Sequence, residues 1–309
     1  MGPAGSIATA RRAFAALTAA VIAVVPLTLA RGAEGTALDR IRAAGGITLG
    51  YRADARPFSY RDDSGQPTGY AVALCDRIAA AVRKATPALK VRWVPVTAGD
   101  RFEAVRRGTV DLLCSADTVT LARRGVVSFS IPIFPGGIGA IVRTDAPLRL
   151  RQVLAGRGQT YSNWRASAAR TLQGRGLTAV AGTTAESWLI SLFREQNIPA
   201  ERVSVNSYQQ GVATLLSRRS DVLFGERAIL LDAVRRHQSS REMVVIERQF
   251  TSEPLALALA RGDEDFRLFL DATLSRLIRS GELARHYTLA FGEPPETTTA
   301  FFSATALGE

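Results

Sequence analysis

The stretch Asp111 to Ser130, DLLCSADTVTLARRGVVSFS, begins as an apolar run and turns abruptly polar, gathering Asp117, Thr118, Thr120, Arg123 and Arg124. Hydroxyls, a carboxylate and a guanidinium at the end of a strand suit a small charged ligand, since guanidinium grips a carboxylate bidentately. A second such cluster is GTTAE, Gly182 to Glu186. Its Thr183 and Glu186 stand at capping-box spacing, which leaves backbone N–H groups of a helix start open to an anion. Alone, that spacing also describes a plain helix cap, and Arg123 alone a solvated arginine. Facing each other across a cleft, the two clusters would make a carboxylate receptor.

The elements that must position these groups follow from periodicity. ITLGYR alternates Ile47, Leu49 and Tyr51 as a strand does, and GYAVALCDRIAAAVRKATP sets Cys75, Ile78, Ala79 and Val82 at helical spacing, with Pro87 as a stop. With the strand VRWVPV, the short helix GDRFEAVRRG and the strand VDLLC, this βαβαβ pattern predicts a parallel sheet with helical crossovers. The pattern restarts at LTAVAGTTAESWLISLF and runs through VSV, YQQGVATLLSRR, DVLFG, ERAILLDAVRR and MVVIE. LALALA and the helical DEDFRLFLDATLSRLIRSG offer one strand, too little for a third domain, and so return to the first.

The expectation is therefore an α/β chain of two lobes, 36–142 with 253–290 and 143–252, each a mainly parallel sheet flanked by helices. A two-segment hinge near Ile141–Asp145 and Phe250–Glu253 joins them. The arginine-rich segment 148–176 reads as a surface insertion with Trp164 packed locally, and 291–309, rich in Pro and Thr, as a flexible tail. Ligands of open α/β sheets sit beyond the carboxyl ends of strands. Arg52, the Asp117–Arg123 cluster and GTTAE all fall there.

At 309 residues, 47% hydrophobic and 22% charged, the composition is globular with length for two domains. Arg11 and Arg12 precede AFAALTAAVIAVVPLTLA, the layout of a signal peptide over residues 1–30, cleaved after Ala30 in preference to Ala33, where Arg31 fits poorly. The apolar run is shorter than the ~20 residues of a membrane span. ARRAF loosely matches a twin-arginine signal, but an ordinary secretory leader is preferred. Cleavage removes Arg11 and Arg12 and takes the formal net charge from +11 to +9.

Export implies an oxidising compartment, where Cys75 and Cys114, both in the first lobe, are able to form a disulfide or remain buried thiols. No basic run is interleaved with aromatics, so nucleic acid is not an expected partner. GxxxxGK, HExxH and GxSxG are absent, and His237 and His286 stand far apart. No metal, cofactor or triad chemistry is expected.

In chain order, YRADARPFSYRDDSGQPTGYAVALCDRIAAAV, VPVTAGDRFEAVRRGTVDLLC, DTVTLARRGVVSFSIPIF, AGTTAE and SEPLALALARGD resemble the amino-acid-binding family of periplasmic solute-binding proteins that feed ABC importers. The resemblance covers Thr36 to Tyr287 and is closest to the glutamate/aspartate-binding branch. It implies a two-lobed type II periplasmic-binding-protein fold, a periplasmic location, an L-amino acid ligand, an ABC-transporter permease as partner, and a monomer. By the same resemblance Arg123 clamps the α-carboxylate with Thr118 and Thr183 or Thr184, and Glu226 receives the α-ammonium where the family usually has aspartate. Arg52 and Arg101 match the arginines that hold a side-chain carboxylate, and Tyr208 falls near a histidine position. This chain departs from the branch at Ala98 and Ala116, where serine is usual, at Asp117, where threonine is usual, and at Ser128, the aspartate of a common DFS.

An acidic ligand is favoured because two desolvated guanidiniums in a closed cleft need a compensating anion. The alternative pairs Arg52 and Arg101 with protein carboxylates such as Asp54 or Asp117 and leaves room for glutamine or another neutral ligand. Two further classes compete with transport. One is a sensory binding protein that reports to a membrane partner; the other is a cyclohexadienyl dehydratase-like lyase with Glu226 or Asp117 as its acid.

Overall fold

The computed structural model describes residues 36–157 and 170–308. The expected signal peptide and Trp164 lie outside them. Among the described residues no helix is long and apolar enough to cross a membrane.

Two sheets organise the chain. The first has the order Lys90–Val96, Gly46–Arg52, Leu112–Thr118, Glu253–Leu259, Ser128–Phe129, with Phe134–Gly136 also pairing to Glu253–Leu259. Its first three strands are parallel, as helical crossovers require, and Glu253–Leu259 returns antiparallel. Leu112–Thr118 is buried at all seven positions, because helices cover one face of the sheet and Phe102, Val105 and Val127 pack on the other. The Tyr70–Arg83 helix lays Leu74, Cys75, Ile78, Ala79 and Val82 onto this sheet. Cys75 and Cys114 are joined in a disulfide, Cα atoms 6.1 Å apart, closing a 39-residue separation. A loop of that length contributes about 3–4 kcal/mol in the chain-entropy account.

The second sheet has the order Glu201–Val205, Gly176–Val180, Val222–Glu226, Ile138–Arg143, Met243–Val245. Ile138–Arg143 pairs antiparallel with Val222–Glu226, so the second sheet begins at Ile138 and not after 142. The first crossing is thereby corrected from Ile141–Asp145 to the Gly136–Gly137 pair. Ile138, Ala140 and Val142 point into the second core, where their apolar side chains are better satisfied than in a hinge. The return crossing lies beside the first: the Phe250 N–H donates to Ile138 O, and Glu253 pairs with Gly136. The two strands touch at Gly137, where a Cβ would fall 2.1 Å from Thr251 O.

Two expectations outside the sheets are corrected. The tail is helical over Glu296–Thr305. Phe302 is 5% exposed and meets Tyr287 edge to face, extending an aromatic cluster with Phe58, Tyr70, Phe134 and Phe291. This burial overrides a Pro- and Thr-rich composition. The described ends of 148–176 are not surface elaboration either, since Leu150, Leu154 and Leu172 are buried in the second core.

Candidate functional site

All nine residues expected to bind ligand, Arg52, Arg101, Asp117, Thr118, Arg123, Thr183, Thr184, Tyr208 and Glu226, line one cavity of about 40 Å3 between the sheets. The first lobe supplies its floor. Leu112–Thr118 carries a register shift against Glu253–Leu259, and Ala116 sits at φ 55°. A non-glycine residue in the left-handed region costs of order 1–3 kcal/mol. The irregularity breaks the two-residue alternation, so that four consecutive residues, Ser115 to Thr118, reach the cavity.

Thr120 caps the four-residue helix Leu121–Arg124, which sets Arg123 over the strand end. The Arg123 guanidinium donates to Thr118 O at 2.9 Å and, across the cleft, to Gly182 O at 3.4 Å. Burial, reinforced by the neighbouring positive charge of Arg101, pulls it down to about 10. It is still charged at neutral pH, and an anion placed on it would relieve both effects.

The second lobe closes the roof. Thr183 caps the Thr184–Gln196 helix by accepting from the Glu186 N–H. The capping reading of GTTAE is thus the one seen in the hydrogen bonds. Thr184 Oγ1 lies 3.4 Å from Thr118 Oγ1 across the cleft and donates to Glu253 at 2.9 Å. Glu226 ends the Val222–Glu226 strand and accepts from the Gly137 N–H at 2.9 Å and the Ala228 N–H at 3.3 Å. Burial pushes its carboxyl up to about 8 against those two bonds, with nearby Glu253 adding to the rise. The Tyr208 hydroxyl accepts from the Glu226 N–H at 3.3 Å.

The expected roles of Arg52 and Arg101 meet a different arrangement. Arg52 forms a bidentate pair with Asp54, at 2.9 and 2.8 Å. Arg101 donates to Asp117 at 2.5 Å and to the carbonyl oxygens of Ala98 and Gly182. Asp117 is thus part of an ion pair. Burial alone would raise its carboxyl, but Arg101, then Arg123 and the Ser115 hydroxyl, hold it below the usual range.

Sequence reasoning missed Ser115, which donates to Asp117, and Glu253, which receives Thr184. Strand alternation from Asp117 points back to Ser115, and Glu253 stood at the second crossing, so both signals were present. Leu255 and Ile229, inside the quoted SEPLALALARGD and ERAILLDAVRR, supply apolar wall that was not singled out. Among the described residues no group of three or more His, Cys, Asp or Glu side chains is placed to hold a metal ion.

The arrangement is a small, polar cavity lined from both sheets. A model of the bacterial extracellular solute-binding proteins, family 3, matches residues 47–293. A glutamate/aspartate import solute-binding protein of Salmonella typhimurium is 26% identical over 264 residues, 85% of this chain and 82% of that relative. An L-glutamate/L-aspartate-binding protein of Pseudomonas aeruginosa is 27% identical over 260 residues, 83% and 80% of the two chains. The crystal structure of a cysteine-binding protein from Campylobacter jejuni superposes with a TM-score of 0.69 at 22% identity, covering 86% of this chain and 98% of that one. The shared fold is the two-lobed type II periplasmic-binding-protein architecture.

Proposed function

The chain belongs to the bacterial extracellular solute-binding proteins of family 3, and we propose that it captures an L-amino acid in the periplasm by closing its lobes and delivers it to an ABC-transporter permease. The observation that carries this reading is the opposition of Arg123 and Glu226 across one cavity. Arg123 has no carboxylate within 4.0 Å among the described residues, and it stands ready for the α-carboxylate beside Thr118, Thr183 and Thr184. Glu226 supplies a carboxylate for the α-ammonium. Glutamate and aspartate are candidates through the names of the two relatives, whereas the α-carboxylate and α-ammonium contacts follow from the chain's own groups. Export by a cleaved leader over 1–30 belongs to the same reading.

A thermal-shift panel of the twenty amino acids tests it. Ligand at a thousand times its dissociation constant adds about 4 kcal/mol to stability. Arg123→Ala removes the charge partner of the α-carboxylate and weakens every ligand by about 2–5 kcal/mol. If no amino acid stabilises the wild-type protein, the proposal is wrong.

Glu226 favours one second reading. A carboxyl held protonated near neutral pH is a general acid, so a lyase acting on a cyclohexadienyl substrate would use it. Product formation abolished by Glu226→Gln would establish that reading. The lowered carboxyl of Asp117 is unsuited to the same task.

A further inference from the structure

The charges around the cavity pair off inside the chain and leave one position for a ligand carboxylate. Arg101 and Asp117 are 2% and 5% exposed. All three guanidinium nitrogens of Arg101 donate to chain acceptors: Nε to Asp117, the other two to the carbonyl oxygens of Ala98 and Gly182. Asp117 is held on both oxygens, by Arg101 on one and by the Ser115 hydroxyl on the other. Arg52 is neutralised by the bidentate bonds to Asp54. Of the three cavity guanidiniums, Arg123 alone lacks a carboxylate within 4.0 Å among the described residues.

An α-carboxylate on Arg123 uses the remaining cation and an α-ammonium meets Glu226, while Glu253 beside Glu226 leaves the surroundings with a further negative charge. A second carboxylate, carried on the ligand side chain, would enter a desolvated site whose remaining cations already have partners, and it would face Asp117 at close range. Buried charge without a partner is disfavoured, and like charges repel more strongly out of water. An uncharged polar side chain meets neither effect and finds the hydroxyl of Tyr208 in the cavity wall.

We infer that Asp117 sets the ligand class: by holding Arg101 in a buried pair, it tunes the cavity to L-amino acids with uncharged polar side chains, such as glutamine, asparagine or serine, over glutamate and aspartate. This inference rests on the amino-acid reading of the same site. Asp117 acts through Arg101 and is a positioning residue. Its signature is therefore a change in the ratio of affinities, which a loss of stability alone would leave in place.

Titration calorimetry on the leader-free chain with glutamine, asparagine, serine, glutamate and aspartate tests it, for wild type, Asp117→Asn and Asp54→Asn. Wild type is expected to bind its best uncharged ligand at least tenfold more tightly than either acidic one. Asp117→Asn keeps the shape and one acceptor oxygen for Arg101, reverses the Ser115 bond so that the amide donates to the hydroxyl, and frees the charge of Arg101; it should move the ratio at least tenfold toward the acids. Asp54→Asn frees Arg52 and should move the ratio in the same direction, which keeps the test alive if the first variant does not fold. Tighter binding of glutamate or aspartate by wild type, or a ratio unmoved in the folded variants, overturns the inference and leaves the amino-acid reading standing. Binding confined to other amino acids does the same. Failure of all twenty to bind overturns both.

Discussion

Glu226 holds a carboxyl raised from an ordinary 4.5 to about 8, chiefly by burial. A raised acid favours folding in its protonated form. Its contribution to stability is complete below about pH 4.5, declines as pH rises, and is gone above about 8. On the proposed reading the ligand ammonium would reverse the preference, because a cation on Glu226 favours the carboxylate. Binding at pH 7 should therefore release close to one proton per ligand, about 0.9 from a group titrating near 8. Calorimetry in buffers of different ionisation enthalpy measures that release, and Glu226→Gln should abolish it. Zero release by the wild-type protein would mean that the ammonium lands elsewhere.

At the scale of elements, the approach of the two lobes depends on the turn between Gly176–Val180 and the Thr184–Gln196 helix. Gly182 has φ 75°, and its carbonyl accepts from Arg101 and Arg123 of the opposite lobe. A Cβ there would lie 2.7 Å from Ala98 O. Gly182→Ala places a methyl against the Ala98 backbone of the opposite lobe and so holds the lobes apart, at a conformation costing an L residue about 1–2 kcal/mol. The expected outcome is a fold that survives, with unfolding free energy lowered by about that amount, and affinity reduced at least tenfold for every ligand with the preference among them unchanged. Denaturant melts and calorimetry read the two effects separately. Unaltered affinity would show that the lobes need not come this close.

For the whole molecule, groups on opposite lobes meet across the cleft. Arg123 reaches Gly182 O, Thr118 meets Thr184, and Arg56 pairs with Asp232 at 3.2 Å. On the proposed reading a ligand bridging Arg123 and Glu226 would add contacts available in the closed form alone and so shift the population toward that form. Small-angle scattering should show a smaller radius of gyration at saturating ligand, and no decrease for Arg123→Ala at the same concentration. A wild-type radius indifferent to bound ligand would rule out closure as the mechanism of capture.

The alternation of strands and helices, the apolar run of Leu112–Thr118 with its polar end, and the polar residues at strand ends were all legible in the sequence. Each is a local pattern: a period of two or of 3.6, or a change of polarity where a strand hands over to a helix. Arg52, Asp117, Thr118, Arg123, Thr183 and Thr184 could be named for that reason, whereas Arg101, Tyr208 and Glu226 were named through the family resemblance alone. What the tertiary structure decided was their pairing. Arg101 and Asp117 stand 16 residues apart, and nothing in their spacing says whether they face each other or a ligand; that depends on the irregularity at Ala116, which turns Asp117 inward. The short apolar strand Ile138–Arg143 suits either sheet by composition, and its antiparallel pairing with Val222–Glu226 settled which. The tail helix depends on Phe302 finding Tyr287. In each case the energy lies in burial and in distances between segments remote along the chain, which local periodicity does not encode.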